Sequence, residues 1–509
     1  MRRIAILSSC LLFVTAACAQ VNPHHRSEPG FDPTAVRYGE GITPAALSKQ
    51  LHIIAGPEME GRETATRGQQ KAAAYIISQF EQAGLQPGVQ GKWEQYYPLY
   101  TDSLLNSAII VGDSTFIYGR DFYADLRAGA SQVLAVHQVV YAGQGIVNNE
   151  RDDYDRLEVK DQVVLIREEV KHELSRNRSS LQERIKTADE KGVAALMVIT
   201  PYASGINQDK LRTTGIYLKK DSIQSPNVYY ISPAMAAVIL GVGSKGEPLL
   251  HIEKIQAPAL VKTTLQLTLN KKGTTLLPSN VLGYLEGTDK KDEVVFITAH
   301  YDHLGKNGGN IFYGADDDGS GTSAVIEIAR AFALAKQEGH GPRRSIVFMT
   351  VSGEEKGLLG SQYYTEHPVY PLKETVTDLN IDMIGRIDPA HEKDTNYLYI
   401  IGDNKLSSTL RTINESANNA YTKLQLDYKY NDPNDPEQFY YRSDHYMFAQ
   451  HGIPIIFYFN GTHADYHQPT DTVEKINFSL LAKRAQLVFF TAWDIANREH
   501  RLVVDKHDK

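Results

Sequence analysis

Cysteine is almost missing from this chain. Of 509 residues only two are Cys, and both, Cys10 and Cys18, fall within the first twenty positions. Beyond them the sequence can form neither a disulfide nor a thiolate metal site. An excess of positive charge is missing too. Lys and Arg number 53 against 61 Asp and Glu, a net charge of −8, so the basic footprint of a nucleic-acid partner is absent. Past residue 20 no apolar run is long enough to cross a bilayer, and no transmembrane segment is expected. There is no internal repeat and no low-complexity tract. What remains is a chain too long for one ordinary core, with two or three domains as the starting expectation.

The first residues have the pattern of an export signal. Arg2 and Arg3 precede a short apolar run from Ile4 to Val14, and Ala17-Cys18-Ala19 supplies the small residues of a cleavage point. This predicts a signal peptide over 1–19 and a secreted or periplasmic protein. A second reading attaches a lipid at Cys18, because Thr15-Ala16-Ala17-Cys18 loosely resembles a bacterial lipoprotein signal. Residues 20–45, with Pro23, Pro29, Pro33 and Pro44, read as an extended polar lead-in. Ala73, Ile76, Ile77 and Phe80 keep helical spacing between Gly68 and Ala83, with Gly84 as the stop.

From about 105 to 265 the chain reads as short β-rich runs such as Gln162–Ile166, with one helix-to-strand step into Ala194–Ile199. From about 275 the rhythm becomes strand, loop, helix. Strands are predicted at Val294–Ala299, Ile346–Val351, Val376–Ile381 and Ile455–Phe459, and helices at Thr322–Lys336 and Leu480–Ala496. That alternation predicts an α/β fold, a mixed and largely parallel sheet flanked by helices. The expected division is 20–104, a β-rich stretch over 105–265, and 266–509.

Polar residues gather where those strands end. His300 and Asp302 follow Ala299; Asp316-Asp317-Asp318 precede the helix at Thr322; Glu354-Glu355 follow Val351; Asp382 follows Ile381; His467 lies past Phe459. Taken singly, each has an ordinary explanation: a solvated turn, a helix cap, a surface pair, a structural histidine. Five in order, each at a strand's carboxyl end where open α/β sheets place their sites, argue for a shared centre. Imidazole with carboxylate is a mixed nitrogen and oxygen donor set that suits zinc.

Ala299-His-Tyr-Asp-His303, Gly314-Ala-Asp-Asp-Asp-Gly-Ser-Gly321, Ser352-Gly-Glu-Glu355, Asn380-Ile-Asp-Met383, Arg442-Ser-Asp-His445 and Tyr466-His-Gln-Pro-Thr-Asp-Thr472 together resemble the family of co-catalytic zinc aminopeptidases. That family includes bacterial leucyl aminopeptidases, plasma glutamate carboxypeptidase and glutamate carboxypeptidase II. The block Leu51–Gly84, with Met59-Glu-Gly-Arg62, is similar to the family's N-terminal helix region. The middle segment resembles the protease-associated domain often inserted there, best over Leu157–Leu165 and Ala188–Ile199.

The resemblance implies two Zn²⁺ per chain. His300 and Asp382 would bind one, Glu355 and His467 the other, and Asp317 would bridge them. Glu354 would act as general base on a metal-activated bridging water, Asp302 would orient His300, and Tyr466 would help stabilise the oxyanion. It also implies a cis peptide between Asp317 and Asp318. The substrates would be peptides with a free N-terminus. Competing readings are a glutaminyl cyclase or a dipeptide carboxypeptidase on the same fold, and a receptor-like ectodomain whose hydrolase core is inert.

Overall fold

The computed structural model describes residues 31–168, 180–203, 211–218, 226–242 and 259–506. The predicted export signal and the Cys18 lipid site lie outside the described residues. Among those that are described, no helix is long and apolar enough to cross a membrane.

The main sheet has nine strands. Its centre is four parallel neighbours in the order Arg344–Val351, Lys290–His300, Thr375–Ile381 and Ile455–Phe459. Every residue of Arg344–Val351, Thr375–Ile381 and Ile455–Phe459 is buried. Strands covered on both faces are rich in apolar residues, and the polar residues they do bury find partners: Asp378 accepts from the Thr298 hydroxyl and Arg344 donates to the Ile495 carbonyl. Antiparallel strands close both sides: Ser279–Leu285 pairs with Arg344–Val351, and Tyr397–Ile401 pairs with Ile455–Phe459.

Helices Arg67–Ala83, Gly321–Gln337 and Phe478–Asn497 contribute Ile76, Phe80, Val325, Ile328, Phe332, Val488 and Phe489 to one contiguous core. Each such side chain removed from water contributes roughly 1.5–3 kcal/mol. Gly84 adopts φ +83° and ends the first of these helices, a position that favours glycine.

The extended lead-in is a misreading over its described part. Pro33–Gly39 and Pro44–Ile54 are helices, capped by the side chains of Asp32 and Thr43. Both prolines occupy the first helical turn, where a missing N–H costs nothing and the fixed φ favours the helix. Proline was taken as a helix breaker at positions where it marks a helix start.

A second sheet of eight strands lies between Leu99 and Leu276 in sequence. Its long strands Leu99–Val111 and Ala259–Leu276 pair antiparallel from Val111↔Leu265 to Leu99↔Leu276. Three parallel pairings then link Gln132–Tyr141, Val163–Arg167, Ala195–Ile199 and Asn227–Ile231. This sheet has its own core, with Ile109, Val139, Leu165, Met197 and Leu267 fully buried. It reaches past 105 and 265 at both ends because the chain leaves and re-enters as paired strands.

Candidate metal centre

Because the four central strands run parallel, their carboxyl ends emerge at one edge. His300 is the last residue of its strand, Asp382 directly follows Ile381, and Glu354 and Glu355 lie just past Val351. His467 comes from the loop beyond Phe459, held at φ +57°. Asp317 arrives from the turn before helix Gly321–Gln337, and its peptide bond to Asp318 is cis. Gly314 is required in this turn: φ is +54°, and a Cβ there would lie 2.2 Å from the Asp317 carbonyl oxygen.

The five histidine and carboxylate residues expected to act together are brought into contact. His300 Nε2 lies 3.1 Å from Asp317 Oδ1 and 3.6 Å from Asp382 Oδ1. His467 Nε2 lies 3.1 Å from Asp317 Oδ2 and 3.2 Å from Glu355 Oε2. The two oxygens of Asp317 therefore face two different triplets. Donors bound tetrahedrally at about 2.0–2.1 Å sit about 3.3 Å from one another, close to these separations. Glu354 approaches the first triplet, with Oε2 4.0 Å from His300 Nε2. Tyr466 stacks on His467 with ring centroids 3.9 Å apart, and with Glu354, Asp317 and Asp382 it lines one cavity.

Several of these atoms have no hydrogen-bond partner among the described residues. They include His300 Nε2, His303 Nδ1 and Nε2, Asp317 Oδ2 and Glu355 Oε1, all buried. Buried polar atoms without partners are costly unless something else satisfies them, and a cation held among these atoms would do so. Electrostatics point the same way. Burial pulls the His467 imidazole down, but Asp317 and Glu355 outweigh it and raise it to about 10. Burial pushes Asp317 up, yet hydrogen bonding to His300 and His467 holds its carboxyl well below the ordinary range. Burial, with Glu355 and Asp382 nearby, raises Glu354. The centre is an excess of negative charge that draws positive charge from whatever is near it.

Asp302 meets His300 through its main chain. His300 Nδ1 sits 3.1 Å from the backbone carbonyl of Asp302, while the Asp302 carboxylate is 3.8 Å away. That carboxylate accepts instead from the Thr64 hydroxyl at 2.6 Å and the Glu354 amide at 3.3 Å. It thus fixes the loop that carries Glu354, and the main chain holds the His300 ring.

Sequence reasoning passed over the supports beneath. Asp471 accepts from the amides of Asp316 and Asp317. Asp316 accepts from the Gly385 amide, Asn460 and His463, and Asp318 from the amides of Gly321 and Met383. Arg62, fully buried, donates to the carbonyls of Ile54, Tyr301, Tyr313 and Gly314. The only sequence signal for these was position within a motif, which does not separate a donor to a cation from a brace.

The sequence profile of peptidase family M28 matches residues 280–492. Those residues belong to peptidase family M28. All five converging residues lie within the M28 region. Aminopeptidase YwaD of Bacillus subtilis (strain 168) is 28% identical over 331 residues, covering 62% of this chain and 65% of that protein. A probable leucine aminopeptidase of Trichophyton verrucosum (strain HKI 0517) is 31% identical over 214 residues, 41% of this chain and 55% of the relative. The chain thus spans between about half and two thirds of the length of these curated relatives. The solved aminopeptidase from Aneurinibacillus sp. strain AM-1 has the same fold, with a TM-score of 0.52 at 19% identity over 93% of this chain and 98% of that one.

Proposed function

We propose that this chain is a metallo-aminopeptidase that holds two zinc ions and removes residues from the free N-terminus of peptides. One observation carries the reading: Asp317 directs one oxygen to His300 and the other to His467, each within 3.1 Å, so a single carboxylate serves two triplets. His300 and Asp382 would complete the first site, Glu355 and His467 the second. Bound there, the zinc ions would supply a water of lowered pKa and polarise the scissile carbonyl.

The chain's own groups do the rest. Glu354, buried beside the first triplet, takes the proton as water attacks and passes it to the leaving amine, a role worth about 10²–10⁴-fold. Tyr466, which lines the same cavity, offers its hydroxyl to the oxygen that gains charge. Met383, Phe439, Phe457 and Phe459 also line that cavity and support an apolar side chain on the substrate residue.

We read residues 105–265 as a protease-associated insertion and 1–19 as an export signal. Support for a role of the insertion near the cleft comes from Leu218 and Ile216, which pack with Leu359, just beyond Glu355. The insertion supplies no member of either candidate metal cluster among the described residues.

The test is a panel of aminoacyl chromogenic substrates, free and N-acetylated, run beside metal analysis. Hydrolysis of the free forms alone, with two zinc ions per chain and loss on chelation, is the expected result. Two bound metals without hydrolysis of any member would refute the activity. Ring closure of N-terminal glutaminyl peptides without peptide cleavage would make it a cyclase.

A further inference from the structure

One fully buried imidazole at the centre has no role in the set just described. His303 is 0% exposed, and neither ring nitrogen has a hydrogen-bond partner among the described residues. Its Nδ1 lies 2.7 Å from Glu355 Oε1 and 3.8 Å from Asp317 Oδ2, and those two oxygens are likewise without hydrogen-bond partners. The 2.7 Å approach is short enough for a hydrogen bond but is not aligned as one. Three buried donor atoms from His303, Asp317 and Glu355 thus sit within 4.8 Å of one another.

The ring is also fixed in place. The His303 amide donates to the Arg62 carbonyl, and residue 303 bridges Glu63 in strand fashion. Its ring lies under Gly314, where a Cβ would come within 2.6 Å of the imidazole. It meets His467 edge-on, with centroids 5.9 Å apart. A side chain this constrained cannot turn away to find water. A neutral imidazole nitrogen is a good zinc donor, and one that points at two zinc-binding carboxylates is placed as a ligand.

Resting on the two-metal reading above, we propose that His303 is a further protein donor to the second metal, beside Asp317, Glu355 and His467. The second site then holds its ion with more protein donors than the first, and the two ions differ in affinity and in ease of removal.

The experiment loads the full chain with Zn²⁺ and with Co²⁺, in wild type, His303→Ala and His303→Asn. Stoichiometry and affinity are read by chelator competition, and the visible absorption of the Co²⁺ form reports the donors. Asn keeps much of the volume and can still donate a hydrogen bond to Glu355, but offers a metal only a carbonyl oxygen. The expected result is that both variants bind one ion normally and the other more than about 100-fold more weakly, with an altered Co²⁺ spectrum. Loss of an outer hydrogen-bond partner alone costs about 10–100-fold. Wild-type affinity and spectrum in His303→Asn would make His303 a positioning residue and overturn the proposal, as would an unchanged His303→Ala. A wild type that binds fewer than two ions would overturn this and the two-metal reading together. Two ions bound in wild type with unaltered variants would overturn this one alone.

Discussion

Replacing Arg62 by Met tests whether the centre depends on a cation it never touches. The guanidinium donates to four carbonyls, those of Tyr301 at 2.8 Å, Ile54 at 2.9 Å, Tyr313 at 2.7 Å and Gly314 at 2.9 Å. Two of these belong to the turn that delivers Asp317, and one adjoins His300. Met keeps the aliphatic stem and leaves the carbonyls without their donor. Each buried carbonyl so stranded costs about 1–3 kcal/mol. Against that sum stands the desolvation of the guanidinium, which the variant no longer bears and which amounts to several kcal/mol. The balance is a loss of about 3–5 kcal/mol, the range seen when one partner of a buried charged contact is removed. Both tryptophans, Trp93 and Trp493, pack in or against this domain's core, so their fluorescence follows its unfolding and not that of the second sheet. With a slope of about 3 kcal/mol per M, the urea midpoint should fall by about 1 M or more. Arg62→Lys, with one ammonium in place of a fork, should fall between. A midpoint for Arg62→Met within the equivalent of about 1 kcal/mol of wild type would refute the reasoning, because the carbonyls would then have other partners.

Other outcomes follow from single side chains. Glu354→Gln should lower turnover by about 10²-fold or more while zinc content stays near that of wild type; retention of a tenth of the activity would remove Glu354 from the base role. Asp32→Ala should cost about 2 kcal/mol in the same fluorescence assay, because it loses the Thr34 cap at 2.8 Å and the Trp493 indole contact at 2.9 Å together. His445 is buried, donates through Nε2 to the Tyr440 carbonyl, and burial lowers it from 6.5 to about 3. Below about 6.5 the unfolded chain takes a proton that the folded chain refuses, so its contribution is whole above that pH and is lost as pH falls toward about 3. His445→Phe should therefore show a shallower fall in stability between those limits than wild type, and identical slopes would count against it.

The core strands were legible because burial on both faces selects short runs rich in Val, Ile, Leu and Phe. Ile455–Phe459 was placed to the residue, and the helix predicted at Gly68–Ala83 begins at Arg67. That these five segments meet was readable from position, since parallel strands deliver their ends to one edge, whereas the choice of Asp317 within its triplet and Glu355 within its pair came from the family resemblance. What escaped was anything set by tertiary partners. Pro33 and Pro44 start helices only because Asp32 and Thr43 cap them and a core receives Leu47 and Leu51. Asp302 was assigned to His300 by proximity, whereas Thr64, 238 positions away in sequence, claims its carboxylate. His303 belongs to the same motif as His300, but one histidine in a row of polar residues does not announce which way it faces.

The pairing of Leu99 with Leu276 puts the two ends of a long excursion side by side, in adjacent strands of a single ladder. To the rest of the chain, everything beyond that rung is equivalent to a hairpin. A cassette attached this way can lengthen, shrink or be exchanged at little entropic cost, since closing a loop becomes only slowly harder as it grows. Neither Asp317 nor any strand that aims one of the converging side chains has to move when it does. The sheet that gathers the converging side chains and the sheet hung from it can then change on separate evolutionary clocks.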